Sequence, residues 1–367
     1  MLLRLFIMIS GFFVWQATFA SSPTADEIGR VLVVHSYGSE HVCGRPQGEG
    51  VASALAEAGW IAGKNLDLRA VHMDTKKTYT TAEAIAERAK LALAEVDAFK
   101  PHVLVVLDDN AIREVMLPLV GRENLAIVFS GMNGQPQDYD RKAKYLNSLN
   151  TPGHNVTGVY EKLHLVKSLR VMEAALGDIK PGDRVVGITD YSPTGNAITR
   201  QFELELEGAK HQLGWELRRV KDFTDYQALI EQINDDARVR AIYPAALKLL
   251  TESGETYTAG DIFAWTTKHS SKPEMALNYH FSRIGLFGGA AVDFTAMGYL
   301  AGQKAARILA GEFAGSLPIE DANDYAIVFN IGRASDLGID IPEALLTAAD
   351  QVYRPKKRRV ADATPSR

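Results

Sequence analysis

The sequence predicts an α/β protein built as two doubly wound parallel-sheet lobes. Short uninterrupted apolar runs such as Val103-Leu104-Val105-Val106-Leu107 suit strands buried on both faces of a parallel sheet. Each run ends in small or polar residues and is followed by a helical segment, so β–α units repeat. The same rhythm occurs twice, on either side of about residue 156.

In the first half, Gly29-Arg30 leads into the strand Val31–Val34, which ends in His35-Ser36-Tyr37-Gly38. A helix runs from about Gln47 to Ala58, and Gly59 stops it. The alternating strand Asn65–Val71 delivers His72-Met73-Asp74-Thr75-Lys76-Lys77 to its end, and Thr80-Thr81-Ala82-Glu83 opens a long helix to about Phe99. The run 103–107 passes straight into Asp108-Asp109-Asn110 before the helical segment Ala111–Met116. One such residue, Asn110, suffices to cap that helix. Asp108 and Asp109 are then left at the carboxyl end of a central strand, where open α/β sheets bind ligands. Ala126–Phe129 is a fourth strand, ending in Ser130-Gly131-Met132-Asn133.

The second half repeats the pattern. Val156–Glu161 precedes a helix from about Leu163 to Leu176, and Lys180-Pro181-Gly182 marks a turn. The strand Arg184–Thr189 ends in Asp190-Tyr191-Ser192-Pro193-Thr194-Gly195, ahead of a helix from about Asn196 to Leu213. Leu217–Val220 reads as a strand, Tyr226–Asp236 as a helix, and Ala241–Tyr243 as a strand ending at Pro244. Ile262–Trp265 reads as another strand and the glycine-rich 285–291 as a return crossing. The helix Phe294–Leu309, closed by Gly311, and the late strand Ala326–Asn330 complete the chain.

Bulk properties narrow the function. The 367 residues are 46% hydrophobic and 23% charged, as for a globular protein of about two domains. A net charge of -5 gives no bulk affinity for nucleic acid. Residues 1–20 read as a secretory signal: Arg4, an apolar stretch from Leu5 to Trp15, then Thr18-Phe19-Ala20 for cleavage near Ala20. An uncleaved anchor is the alternative. Cys43 is the only cysteine, so no intramolecular disulfide forms. No later segment reaches the ~18 apolar residues of a membrane span, so the mature chain is expected to be soluble. Residues 354–367 read as a flexible basic tail.

Several short stretches occur together in order: His35-Ser36-Tyr37, Met73-Asp74-Thr75-Lys76, Asp108-Asp109-Asn110-Ala111 and Val128–Asn133. Asn155–Glu161, Asp190–Gly195, Leu317-Pro318-Ile319 and Leu337–Pro342 follow. Across about residues 30–350 the chain resembles the ABC-transporter substrate-binding family with the type I periplasmic binding fold. The similar branch is one also found as the sensing domain of bacterial two-component kinases. Cys43 departs from the pattern, standing where an aromatic residue, typically Trp, is expected.

The resemblance implies two lobes joined by a hinge of crossing strands and closing over a ligand. Lobe 1 is expected at 29–156 plus about 286–313, and lobe 2 at 157–285 plus about 314–350. It implies a periplasmic, monomeric solute-binding protein that delivers its ligand to an ABC permease in the inner membrane. A ligand sensor acting on a membrane sensor kinase is the alternative. Such a protein needs polar groups at the strand ends of both lobes, with apolar walls and a few aromatics. The candidates are Ser36, Tyr37, Asp108, Asp109 and Asn133 from the first lobe. From the second come Tyr160, Glu161, Asp190, Ser192, Thr194, Pro244 and Trp265, with Asp293 at the return crossing. Thr194 and Gly195 either present backbone N–H groups to an anionic ligand group or simply cap a helix. Asp74 and Lys76 are expected as a structural pair at the cleft rim. Acidic groups outnumber basic ones, which favours an amine or a many-hydroxyl ligand: an amino acid, a sugar or a related polar metabolite.

Other chemistries find less support. No Gly-x-Ser-x-Gly elbow occurs, and Cys43 has no assigned base, so no catalytic residue is expected. His35, His41, Cys43 and His72 could hold copper or zinc, but the His41-x-Cys43 spacing is too close for a familiar structural zinc site. The glycines at 285–289 lack the Lys-Ser/Thr of a nucleotide loop. No metal and no cofactor are expected.

Overall fold

The computed structural model describes residues 27–245, 247–251 and 254–354; the expected signal at 1–20 and the basic tail from 355 onward lie outside the described residues. Six parallel strands form the first sheet, in the order Glu320–Asp321, Val156–Tyr160, Ala126–Met132, Val103–Leu107, Gly29–His35, Leu66–His72. The apolar run 103–107 lies at its centre, every residue buried, because helices cover both faces. At the edge, Leu66–His72 is only partly covered, which matches its alternating sequence.

The second lobe contains two three-stranded sheets. Arg184–Thr189 pairs in parallel with both Val239–Pro244 and Gly214–Arg219. Gly288–Val292 runs antiparallel to Tyr325–Asn330, which pairs in parallel with Gln351–Tyr353. Single bridges at Ile242–Glu274 and Met275–Gly288 tie the two sheets together.

Within the described residues the chain passes between lobes three times. It leaves the first sheet after Tyr160 for the helix Leu165–Leu176, returns after Val292 into the helix Phe294–Leu309, and leaves again between Asp321 and Tyr325. These crossings move the expected boundaries. Val156–Tyr160 belongs wholly to the first sheet, because its buried apolar side chains pair beside Ala126–Met132. Gly288–Val292 belongs to the second lobe, held by the antiparallel ladder to Tyr325–Asn330. Residues 314–321 stay with the first lobe through Glu320–Asp321.

One element changes type. Ile262–Trp265 is not a strand but the middle of the helix Ala259–His269. A reciprocal capping box starts it: Thr258 Oγ1 accepts from Asp261 N at 3.1 Å, and the Asp261 carboxylate accepts from Thr258 N at 3.1 Å. A four-residue apolar run is equally compatible with a buried helix face, and the cap decides. The helix after Asp190 also starts earlier and ends sooner than expected, spanning Pro193–Leu206.

The helices Gly44–Glu57 and Phe294–Leu309, far apart in sequence, cross on the first sheet with their backbones in near contact. A Cβ on Gly298 would fall 2.1 Å from the Gln47 carbonyl oxygen, and one on Gly50 would fall 2.2 Å from that of Thr295. Only glycine at both positions permits that approach. Replacing Gly298 by Ala forces the helices apart, so Gly298→Ala is expected to cost about 1–3 kcal/mol of stability in urea denaturation. An unchanged midpoint and slope would show the crossing to be looser than described.

Candidate ligand-binding cleft

A cavity of about 740 Å³ lies between the lobes. Its floor is made by the carboxyl ends of the first sheet's strands, which present Tyr37, His72, Asp108, Asn133 and Glu161. The loop 37–43 forms one wall. The opposing side comes from the second lobe: Thr194, Ile198, Leu247, Tyr257, Ile262 and Phe263.

Asp108 is the most constrained residue of the floor. Its backbone adopts φ 68°, a left-handed value that an aspartate holds only when its surroundings impose it. Its Oδ1 accepts from Gln47 Nε2 at 3.0 Å, and Gln47 Oε1 in turn accepts from Ser130 Oγ at 2.9 Å. Gly131, at φ 72°, leaves room for it, since a Cβ there would fall 2.7 Å from Asp108 Oδ1. The residue is 2% exposed, and its second oxygen, Oδ2, is buried without a hydrogen-bond partner. Burial is the main reason that its pKa is pushed up to about 8, with Asp109 adding to the shift and Gln47 and Lys76 opposing it.

Glu161 is 3% exposed, and its pKa is also raised, by burial first and then by Asp108, Asp109 and Glu205. Tyr37 is raised by burial and then by Asp108, Cys43, Asp109 and Glu161, and its ring packs on that of His41 with centroids 4.1 Å apart. His41 is pushed down to about 3 by burial and by Lys76, so it is neutral here and brings no positive charge to the acids. His35, stacked on His72 at 4.3 Å, is likewise pushed down to about 3 by burial and by His72. The floor thus gathers buried acids with neutral histidines, Lys76 and Lys77 line the rim, and the facing wall is largely apolar.

Five of the thirteen expected site residues line this cavity: Tyr37, Asp108, Asn133, Glu161 and Thr194. The other eight stand behind it or elsewhere. Asp109 Oδ1 accepts from Tyr139 OH at 2.5 Å and from Asn133 N at 3.2 Å, so it holds Asn133 in place. Ser36 Oγ accepts from Ala111 N at 2.8 Å and donates to the carbonyls of Leu107 or Asp108, pinning two strand ends together. Asp190 accepts from Ser192 N at 2.8 Å and from Lys248 N, while Ser192 Oγ caps the next helix at Gly195 N. Pro244 ends a strand, one residue before the lining Ala245. Asp293 caps the helix Phe294–Leu309 through Ala296 N, one residue before the lining Phe294. Tyr160 sits at the hinge beside Asp321. Trp265 packs against His269, Phe223 and Tyr226, because helical rather than strand geometry points Ile262 and Phe263 to the cavity.

Further corrections concern the rim and the histidines. Asp74 and Lys76 both line the cavity, but Asp74 accepts from Thr78 Oγ1 at 2.5 Å and no ion pair joins it to Lys76 among the described residues. His41, Cys43 and His72 line the cavity too, and no group of three or more metal-ligating side chains gathers among the described residues. Cys43 Sγ accepts from Asn278 Nδ2 across the cleft at 3.5 Å. The apolar wall went unpredicted; Leu277, Phe281 and Phe294 carry no strand-end signal, and only the fold brings them together.

Residues 125–353, more than half of the chain, match the family model described as ABC transporter substrate binding protein. No curated protein matches the chain. Among solved structures, a conserved domain protein from Vibrio cholerae O1 biovar El Tor is 22% identical, with TM-score 0.66, over 89% of this chain and 100% of that one. The ABC domain in complex with L-Trp from Streptococcus pneumonia is 18% identical, with TM-score 0.66 and the same coverage. A ligand-free, open substrate-binding protein with adhesive properties from Clostridium difficile is 15% identical, with TM-score 0.63, again over 89% and 100%. Those structures share the two-lobed α/β fold described above, and the family match covers the second lobe and part of the first. The chain belongs to the ABC transporter substrate-binding protein family, with the type I periplasmic binding fold.

Proposed function

We propose that this protein is an exported receptor that encloses a small solute bearing an amine on an apolar body and hands it to an ABC permease. The observation that carries the reading is the buried, partnerless Oδ2 of Asp108 on the floor of a cavity with apolar walls. Without ligand Asp108 keeps its proton at neutral pH, and a protonated amine supplies both a donor to the partnerless oxygen and the opposite charge that lets the carboxyl ionise. Glu161 stands by as a second acceptor, and Tyr37, Asn133 and Thr194 complete the polar contacts. The aromatic and aliphatic wall takes the rest of the ligand. L-Trp, bound by the streptococcal neighbour, is a ligand of this chemical kind.

Membership of a transport family favours delivery to a permease over action on a sensor kinase. In this reading residues 1–20 are an export signal cleaved near Ala20, and the receptor works in the periplasm as a monomer. No helix among the described residues is long and apolar enough to cross a membrane. Membership of a substrate-binding family supports a reading of binding without turnover.

Asp108 gives a pH dependence of defined sign. Its folded pKa, about 8, lies above the ordinary 3.8, so between those values the folded state holds a proton that the unfolded state has released. Its contribution to the stability of the ligand-free protein is therefore highest at the acid end of that window and falls as pH rises through it, by at most about 1.4 kcal/mol per pH unit for one proton. Glu161 acts in the same direction. Below about pH 6.5 the depressed His35, His41 and His164 act in the opposite direction, so the melting temperature without ligand should fall between about pH 6.5 and pH 8, and Asp108→Asn should flatten that slope. A slope of the same steepness in the variant would remove Asp108 as its origin.

The ligand itself is testable by thermal shift and calorimetry over amines, amino acids, sugars and purines. Amine-bearing solutes with an apolar body should raise the melting temperature through preferential binding to the folded state. Asp108→Asn should weaken their binding at least about tenfold, equivalent to ~1.4 kcal/mol. Stabilisation by neutral sugars alone, or amine affinity indifferent to Asp108→Asn, would sink the reading.

A further inference from the structure

The main cavity has a neighbour of opposite charge. A second pocket, of about 330 Å³, opens beyond Asn133, which lines both. Arg113 and Lys142 reach it from the first lobe, and Arg200 reaches it from the second. The lining cations outnumber the pocket's single lining acid, Asp138, whose contact with Arg141 is largely exposed and worth little. The cations are weakly engaged as well. Arg113 donates to the amide oxygen of Asn110 rather than to a carboxylate. Arg200 meets Glu203 at 3.2 Å, but both side chains are about 60% exposed, where such a contact is worth little.

The placement of these charges matters as much as their number. Gln135 Nε2 donates to Gln201 Oε1 at 2.9 Å beside this pocket, so the two lobes meet here. Closure thus brings Arg113 and Lys142 toward Arg200, and like charges so approached repel unless an anion lies between them. The first turn of the 14-residue helix Pro193–Leu206 borders the same space through Pro193, Asn196 and Ala197, adding the positive end of its dipole.

We infer that this pocket is an anion subsite of the cleft and that the ligand is dipolar: its amine rests on Asp108 and Glu161, and a carboxylate or phosphate group reaches past Asn133 to Arg113 and Arg200. The inference rests on the amine reading above. An anionic group between the lobes turns a repulsive contact into an attractive one, so it selects the ligand and favours closure together.

Calorimetry on the full chain tests this with matched probes: tryptamine against L-tryptophan, phenethylamine against L-phenylalanine, and hexylamine against 6-aminohexanoate. Indole-3-propionate serves as the anion without the amine, and every titration is repeated with excess inorganic phosphate. The dipolar member of at least one pair should bind about tenfold or more tighter than its amine, and the surface double variant Lys142→Gln/Arg200→Gln should cut that preference to about threefold or less. If phosphate instead tightens the simple amines, and the double variant abolishes that effect, the anion is a separate ion in the same subsite. Equal binding within every pair, indifferent to phosphate and to the double variant, overturns the subsite while leaving the amine anchor standing. Binding of indole-3-propionate that is lost in the double variant, with no amine bound, keeps the subsite and removes the anchor. Absence of binding by every probe overturns both.

Discussion

The structure depends on keeping a carboxylate dry at the end of its central strand without giving it a partner for both oxygens. That arrangement is imposed from several directions. Asp108 takes a left-handed backbone conformation, Gly131 clears the space beside it, and Gln47 and Ser130 satisfy one oxygen. Gln47 is itself delivered by a helix whose backbone touches the helix Phe294–Leu309 at Gly50 and Gly298. A close helix crossing, a glycine at the next strand end and a buried amide thus serve one polar atom. Structure this specific around one buried acid, whose pKa is pushed up to about 8, is what supports reading Asp108 as the ligand anchor.

Closure of the lobes is balanced by contrast with that rigidity. The lobes are joined by three chain crossings among the described residues and by hydrogen bonds that include Tyr279 OH with Thr295 Oγ1 at 3.0 Å. Lys248 Nζ donates to the Thr80 carbonyl at 3.3 Å, Gln135 to Gln201 at 2.9 Å, and Asn278 to Cys43 Sγ at 3.5 Å. Water can replace each of these hydrogen bonds, so a ligand touching both lobes adds contacts that favour the closed arrangement. The hinge is more firmly held. Glu205 accepts from the backbone N–H groups of Leu163, His164 and Leu165 at 2.6–3.2 Å, exactly where His164 takes φ 56° and the chain turns into the second lobe.

What was legible in the sequence follows from what each signal encodes. Strands buried on both faces announce themselves as apolar runs, so Val103–Leu107 and Ala126–Phe129 could be placed, although the second strand runs on through Ser130 and Gly131 to Met132. Lobe membership at the crossings could not, since Gly288–Val292 carries a strand pattern but nothing that names its partner. Strand-end polarity is a sound guide to the neighbourhood of a site and a poor guide to orientation. Asp108 and Glu161 face the cavity, while the adjacent Asp109 turns away to Tyr139. The apolar wall left no local mark, because Ile262, Leu277 and Phe294 look like core residues until two lobes are set face to face.

An unpaired acceptor also explains how such a cleft would discriminate. Apolar walls distinguish ligands weakly, since one methylene more or less changes binding by only ~1–3 kcal/mol. A buried carboxylate oxygen works in the opposite way: a solute lacking the matching donor leaves it desolvated and unanswered, and pays for the closure of the lobes without relieving it. Water reaching that oxygen in a more open state would confine the penalty to closing. Discrimination is therefore coupled to the conformational step itself, and a solute of the right shape but the wrong charge would enter the cleft and fail to shut it.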